Sequence, residues 1–279
     1  MVSTFQRLII SSNKCVRCRR IAEGPPQPVI LGREKEIAMM TLNQRGICKP
    51  PLNLKAQKDE HLDITEEDFW SIVPLVWDFT ELPIAVLYNL YCSARYIISA
   101  GIAGDFVECG VHMGGSIMMM EYILLTDDKY PDRRLFALDT FFGFVRRNEE
   151  LDIDIESGLP ACHPDSKPFD FSKDAIENMT SVGFSRLSIV KGDILHTIPT
   201  LDTKQISLLR LDTDTYETTK FELDQLYDRV VPGGVVIVDD YGYTFGCKKA
   251  VDDFVSSKSI LLQRINRNCR AWVKAITML

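Results

Sequence analysis

The stretch from Leu208 to Tyr241 constrains the fold of this 279-residue chain more than any other part of the sequence. It contains two apolar runs, and each ends in aspartate, the first at Asp212 and the second at Asp239-Asp240. A polar segment and the turn sequence Pro232-Gly233-Gly234 separate the two runs. Short apolar runs joined by a helix are typical of parallel strands in a doubly wound α/β sheet. Ligands bind at the carboxyl ends of such strands, so we expect the aspartates to lie together at a binding edge.

The chain from residue 104 onward repeats this alternation of short apolar strands and amphipathic helices. It therefore predicts a Rossmann-like, mostly parallel sheet of seven strands, with the last two forming an antiparallel hairpin at its edge. The predicted strands are Asp105–Cys109, Arg134–Leu138, Leu187–Lys191, Ile206–Leu211, Val235–Val238, Ile260–Asn266 and Arg270–Thr277. The predicted helices are Gly114–Leu125, Lys173–Val182, Thr218–Tyr227 and Gly246–Ser257. We expect three segments in all: a leader over 1–60, N-terminal helices over 61–103 and the sheet domain over 104–279.

Composition and charge favour a cytoplasmic globular protein. Hydrophobic residues make up 46% of the chain and charged residues 25%, and the net charge of −7 argues against a nucleic-acid partner. No run of 18 apolar residues predicts a membrane span. The leader is basic, with 11 Lys/Arg and 5 Asp/Glu, and is interpreted as a partly disordered segment or a lid. Cys15 and Cys18 have the spacing of half a zinc site, and whether they bind metal stays open.

The segment before residue 104 is rich in aromatic side chains, among them Trp70, Trp77, Phe79 and Tyr91. These rings exceed what one edge of a sheet should need. Large apolar patches usually meet a partner, so we expect a homodimer or a higher homo-oligomer.

The aspartates at the two strand ends predict a cation site. Asp212, Asp239 and Asp240 would supply three carboxylates at one edge of the sheet, and such a cluster is unfavourable unless a cation neutralises it. Hard oxygen ligands of this kind suit Mg²⁺, with Mn²⁺ as a substitute. A hydroxyl held beside such an ion is easier to deprotonate.

The loop after the first predicted strand has the features of a cofactor site. It reads Glu108-Cys-Gly110-Val-His-Met-Gly114-Gly-Ser116, and this glycine spacing differs from the G-x-G-x-x-G of dinucleotide sites. Glu108 would repel a pyrophosphate but suits a cationic ligand such as S-adenosylmethionine (SAM). Asp139 ends the second strand, where an acidic side chain can hold ribose hydroxyls. Asp193 follows the third strand and is expected near the adenine.

Four segments together resemble the macrocin O-methyltransferase (TylF/MycF-type) family. They are GDFVECGVHMGGS, LFALDTFFGF, LLRLDTDTYETTKFELDQLYDRVVPGGVVIVDDYG and GCKKAVDDF, and the resemblance extends from about Pro83 to Lys274. It implies a SAM- and Mg²⁺-dependent enzyme that methylates a hydroxyl of a sugar or another natural product. It also implies that Asp212, Asp239 and Asp240 hold the metal, that Asp139 binds ribose and that Glu108 to Ser116 surround the methionine part of SAM.

The chain departs from the family pattern at pocket positions. His112 stands where Trp is usual, Thr213 where Gly is usual, and Asp193 where an aromatic residue is usual. Related catechol O-methyltransferases have a lysine three residues after the first metal-binding Asp, whereas this chain has Thr215. The candidates for the base are therefore Asp212 and His163. A catechol or phenol methyltransferase and a non-catalytic SAM-binding module stay as alternatives, whereas the glycine spacing disfavours an NAD-dependent dehydrogenase.

Overall fold

The computed structural model describes residues 49–161 and 169–275 of the chain. The chain divides into two compact units, Met1–Glu81 and Leu82–Leu279. The described part of the first unit contains helices α1 (Leu54–Glu60) and α2 (Glu67–Val76), and a 3₁₀ turn follows α2 at Trp77–Phe79.

The second unit is built on a single twisted sheet. Its strands are β1 (Asp105–Cys109), β2 (Leu135–Asp139), β3 (Leu187–Lys191), β4 (Ile206–Leu211), β5 (Val230–Val238), β6 (Gln263–Arg264) and β7 (Arg270–Val273). Its helices are α3 (Ile84–Ala100), α4 (Gly115–Leu124), α5 (Ser172–Thr180), α6 (Ile194–Thr197), α7 (Tyr216–Leu226) and α8 (Phe245–Val255). The strand order within the described residues is β3-β2-β1-β4-β5-β7-β6, and β7 runs antiparallel to both β5 and β6.

The predicted fold class is confirmed, and most strand positions agree with the sequence pattern. Three strands have the predicted bounds, because their ends are marked by a change from apolar to polar residues. β6 is shorter than predicted, Gln263–Arg264 instead of Ile260–Asn266. The main difference is β5, which begins at Val230 and passes through Pro232-Gly233-Gly234 instead of starting after it. The β4–β5 register shifts in this part, since Ile206 pairs with Val230 but Leu208 pairs with Val235. A bulge therefore absorbs the extra residues.

The register of the central strands decides which side chains share a face. Leu209 and Leu211 of β4 enter a buried cluster with side chains of β1, β5, α7 and α8. Side chains alternate along a strand, so Arg210 points to the opposite face. Glu108 of β1 and Ile237 of β5 are its direct partners across the sheet, and they share that face. A buried acid and a buried arginine are thus neighbours near the carboxyl edge.

Most of the aromatic side chains on which the predicted homo-oligomer depends are buried. Trp70, Trp77 and Tyr91 are buried, and the two indole N–H groups donate to the carbonyls of Ile64 and Pro50. Phe79 is half-buried. Three of the four rings therefore supply no apolar surface for a partner, and the homo-oligomer stays a prediction with little support from these residues. Among the helices of the described residues, none is long and apolar enough to cross a membrane.

Candidate active site

The carboxyl ends of β2, β1, β4 and β5 lie side by side and continue their pairing beyond the strands. Gly110 N–H donates to Leu138 O, and Asp212 N–H donates to Cys109 O, each at 2.8 Å. Asp239 N–H donates to Leu211 O at 2.9 Å. The loops that carry the predicted site residues therefore start next to one another, as the sequence predicts.

The glycines of the loop after β1 are required by close contacts within the protein. Gly110 has φ +79°, and a Cβ atom there would overlap the carbonyl group of Asp212. Gly114 has φ +89°, and its Cβ would meet the side chain of Met179. These glycines let the β1 loop pack closely against its neighbours. Contacts within the protein are therefore enough to explain why both positions require glycine, without any contribution from a ligand.

Asp139 ties the loops after β1 and β2 together. One of its oxygens accepts hydrogen bonds from the N–H groups of Val111 at 2.8 Å and His112 at 2.9 Å. The other accepts from the N–H of Phe141 at 2.7 Å. The Thr140 hydroxyl lies 3.5 Å from the same second oxygen and is the longest of these four contacts. A ligand hydroxyl would therefore compete most easily with Thr140, since a carboxylate has about four acceptor positions.

Backbone strain is concentrated at this edge of the sheet. Among the described residues, three that are not glycine have positive φ: His112 at 48°, Phe141 at 54° and Asp214 at 64°. They follow β1, β2 and β4 respectively. Such conformations are unfavourable and cluster at functional sites when the surrounding structure holds them in place.

A buried arginine stands at the centre of the predicted metal site. The guanidinium of Arg210 contacts Glu108 Oε1 at 2.5 Å and Asp212 Oδ2 at 2.7 Å through Nη1. Through Nη2 it contacts Asp239 Oδ2 at 2.6 Å. Ser116 Oγ donates to the same Glu108 oxygen at 2.6 Å. The Glu108 side chain is fully buried, so it lies behind the surface on which a cofactor would rest.

Burial dominates the electrostatics of these carboxyl groups. It raises the pKa of Asp239 to about 7, where the negative charge of Asp212 adds to the effect and Arg210 opposes it. Burial also raises the pKa of Glu108 to about 7 against the effect of Arg210. The pKa of Asp240 is raised by burial and by the charges of Asp214, Asp212 and Asp239. A cation at this edge would favour the charged form of all these groups.

The donor chemistry fits a divalent cation, but the described residues show no finished site. No group of three or more His, Cys, Asp or Glu side chains within 49–161 and 169–275 is arranged to hold a metal ion. Arg210 instead occupies one oxygen of Asp212 and one of Asp239. Asp240 Oδ2 is buried and has no hydrogen-bond partner among the described residues. A buried carboxylate oxygen without a partner needs an explanation, and a bound cation is one. Together with two neighbouring aspartates, this oxygen is the type of ligand that Mg²⁺ prefers.

The long connection after β2 runs over the same edge. Arg146 pairs with Asp193 at 2.8 Å and with Glu217 at 3.3 Å, so it spans from the end of β3 to the start of α7. Asp152 accepts from the N–H of Tyr216 at 2.8 Å. The described part of this segment therefore lies over the carboxyl ends of several strands.

Among the predicted site residues, the structure describes the surroundings of Asp193 but not those of His163. The Asp193 side chain accepts from Leu195 N–H as the N-cap of α6, and it also pairs with Arg146. It is thus engaged by the protein itself. His163 lies outside the described residues. Arg210 is the functional candidate that sequence reasoning missed, although a charged residue inside the apolar run Leu208-Leu-Arg-Leu211 is an unusual feature that marks it.

Comparison with known proteins decides the family. The model of the macrocin-O-methyltransferase (TylF) family matches residues 74–274. The chain belongs to this family. Demethyldecarbamoylnovobiocin O-methyltransferase of Streptomyces niveus is 32% identical over 178 residues, which cover 63% of this chain and 67% of the relative. Mycinamicin III 3''-O-methyltransferase of Micromonospora griseorubida is 29% identical over 174 residues, 60% of this chain and 66% of the relative.

Solved structures agree with this assignment. The O-methyltransferase NovP aligns with a TM-score of 0.62 and 28% identity, and the alignment covers 71% of this chain and 83% of NovP. The calicheamicin methyltransferase CalS11 aligns with a TM-score of 0.57 at 17% identity, covering 88% and 99% of the two chains, which supports the fold alone. The predicted family and the enzyme class, a SAM-dependent O-methyltransferase, are confirmed.

Proposed function

We propose that this chain transfers the methyl group of SAM to a hydroxyl of a sugar or a related natural-product acceptor, with Mg²⁺ bound at Asp212, Asp239 and Asp240. One observation carries the proposal. These carboxylates lie at the same edge of the sheet from which the glycine loop after β1 starts. By their descriptions, the two relatives named above are O-methyltransferases of demethyldecarbamoylnovobiocin and of mycinamicin III. Mn²⁺ is expected to replace Mg²⁺.

The cofactor is proposed to lie over the ends of β1 and β2. Asp139 would accept a ribose hydroxyl in place of its long contact with the Thr140 hydroxyl, and the loop from Gly110 to Gly114 would lie beneath the methionine part. Ser116, at the start of α4, is proposed to lie beside the methionine part, and its hydroxyl already donates to Glu108 at 2.6 Å. Asp193 is proposed only as the edge of the adenine pocket, since it already binds Arg146.

The acceptor is proposed to enter over the ends of β4 and β5. A bound divalent cation supplies the positive charge that lowers the pKa of an acceptor hydroxyl. Asp212, whose side chain is 27% exposed, is the residue proposed to receive the proton. His163 remains the alternative base. Methyl transfer is a direct displacement, so the role of the rigid strand ends is to hold donor and acceptor in line.

The catechol alternative finds less support in the site. Thr215, which stands where catechol methyltransferases have a lysine, is buried and is the N-cap of α7. Thr215 therefore cannot replace that lysine as a base, because its hydroxyl is buried and occupied by the cap. An alicyclic or sugar hydroxyl is favoured over a phenol on this ground. A panel of glycosides and catechols assayed side by side tests the choice.

The metal part of the proposal is tested by chelation and by single substitutions. Methyl transfer should stop in excess EDTA and return with Mg²⁺ or Mn²⁺. Asp212→Asn and Asp239→Asn should reduce kcat by at least about 100-fold, whereas binding of S-adenosylhomocysteine should stay within about threefold because the cofactor lies over other strands. Full activity in EDTA would refute the metal mechanism. Binding of NAD⁺ in place of S-adenosylhomocysteine would refute the whole proposal.

A further inference from the structure

Arg210 draws together acidic side chains from three different strands. Glu108 belongs to β1, Asp212 follows β4 and Asp239 follows β5, and one guanidinium contacts all three within 2.7 Å. Its side chain is fully buried, as is that of Glu108. Burying a charge is unfavourable unless the charge is closely paired. Arg210 meets this condition with three carboxylates at once.

The strand register explains why these groups meet. Glu108 and Arg210 are paired residues on β1 and β4. Asp212 lies two positions beyond Arg210 and therefore on the same face. Ile237 of β5 pairs with Arg210 of β4, and Asp239 lies two positions beyond Ile237. The register of the strands therefore places all four side chains on one face of the sheet, with the two aspartates directly after their strands.

The network has a back and a front. At the back, Glu108 is held by Ser116 and Arg210 and has no exposed surface. At the front, Asp212 and Asp239 each give one oxygen to Arg210 and retain the other. The planar guanidinium donates in fixed directions, so it sets the orientation of both aspartates.

We propose that Arg210, anchored by Glu108, is a positioning residue that orients Asp212 and Asp239 for the divalent cation. Glu108 then acts on the cation site through Arg210, and not as a ligand of the cofactor. This inference rests on the proposed function. Loss of a partner that orients a metal ligand commonly weakens metal affinity by about 10- to 100-fold.

The test compares two conservative substitutions of buried arginines. Arg210→Lys keeps the charge but removes the fork that reaches three carboxylates. Arg133→Lys is the matched control, because Arg133 is also buried and pairs with Asp127 at 2.9 Å. It bonds to Ser207 at the start of β4, the opposite edge of the sheet. Both variants should lose thermal stability.

The two variants should differ in cation binding, which calorimetry with Mg²⁺ measures in the presence of S-adenosylhomocysteine. Arg210→Lys should raise the Mg²⁺ dissociation constant at least about tenfold and change the affinity for S-adenosylhomocysteine by less than about threefold. Arg133→Lys should leave both constants unchanged. Equal Mg²⁺ affinity in Arg210→Lys and the wild type would overturn the inference. A tenfold loss of S-adenosylhomocysteine affinity in Arg210→Lys would also overturn it, because Glu108 and Arg210 would then serve the cofactor.

A second variant covers the case in which Arg210→Lys does not fold. Arg210→Gln combined with Glu108→Gln removes one positive and one negative charge, so the net charge of the buried cluster is unchanged. It should show the same selective loss of Mg²⁺ affinity, and unchanged affinity would refute the positioning role. If the wild-type protein binds neither Mg²⁺ nor S-adenosylhomocysteine, the proposed function fails, which is a distinct result.

Discussion

Glu121 lies in α4, away from the carboxylate cluster, and it provides the sharpest test of the electrostatic reasoning. Its side chain is fully buried, and neither carboxyl oxygen has a hydrogen-bond partner among the described residues. Burial raises its pKa from 4.5 to about 9. The folded protein therefore keeps this group protonated at neutral pH, whereas the unfolded chain releases the proton.

The sign and size of the effect follow from this difference in pKa. A raised carboxyl pKa leaves stability intact below pH 4.5, lowers it steadily as the pH rises, and has its full effect above pH 9. Each pH unit in this window corresponds to about 1.4 kcal/mol. At pH 7 the penalty is at most about 3.5 kcal/mol, since about 2.5 units separate pH 7 from the unfolded pKa.

Glu121→Gln should remove this penalty, because glutamine has nearly the same shape and carries no charge at any pH. We expect a higher melting temperature, by up to about 6 to 10 °C at pH 7. The gain should shrink towards pH 5 and grow towards pH 9. Thermal unfolding followed by circular dichroism at pH 5, 7 and 9 measures it.

The control is Glu177→Gln on the exposed part of α5, which should change the melting temperature little at any of these pH values. The reasoning would be refuted if Glu121→Gln were no more stable than the wild type at pH 9. It would also be refuted if the difference between the two proteins were the same at pH 5 and pH 9, because burial of a neutral carboxyl would then not be the cause.

The remaining predictions concern the loops of the site and the assembly. Gly110→Ala should lower the free energy of unfolding by more than about 2 kcal/mol, because its Cβ would overlap Asp212. Gly143→Ala, where φ is +73° but the space is open, should lower it by about 1 kcal/mol in denaturant titrations. Thr213→Gly should destabilise by about 1 to 2 kcal/mol, since Thr213 donates to buried Glu222 at 3.0 Å, while methyl-transfer rates stay within about threefold of the wild type. Thr213→Ser, which retains the hydroxyl, should not destabilise. Light scattering at micromolar concentration should show a homo-oligomer, and a monomer would remove that prediction.

The sequence by itself determined the sheet and the edge at which its candidate site residues lie. The strands from Asp105 to Cys109 and from Ile206 to Leu211 have the predicted bounds, because a short apolar run with polar residues at both ends has few other stable arrangements. The aspartates at the ends of β4 and β5 were recognisable for the same reason. Parallel strands must present their carboxyl ends together, so local pattern was enough to bring distant residues to one edge.

Only the tertiary structure decided which groups those aspartates contact. The pairing of Glu108 with Arg210 depends on the register between β1 and β4, and register is set by packing across the sheet. The sequence predicts a place beside the cofactor for Glu108, and the structure adds that its side chain is fully buried and paired with Arg210. The environment of Asp193 likewise depends on Arg146, which is 47 residues away along the chain. Long-range contacts of this kind have no local signal, because they arise from the way the strands and loops pack and not from any periodicity in the sequence.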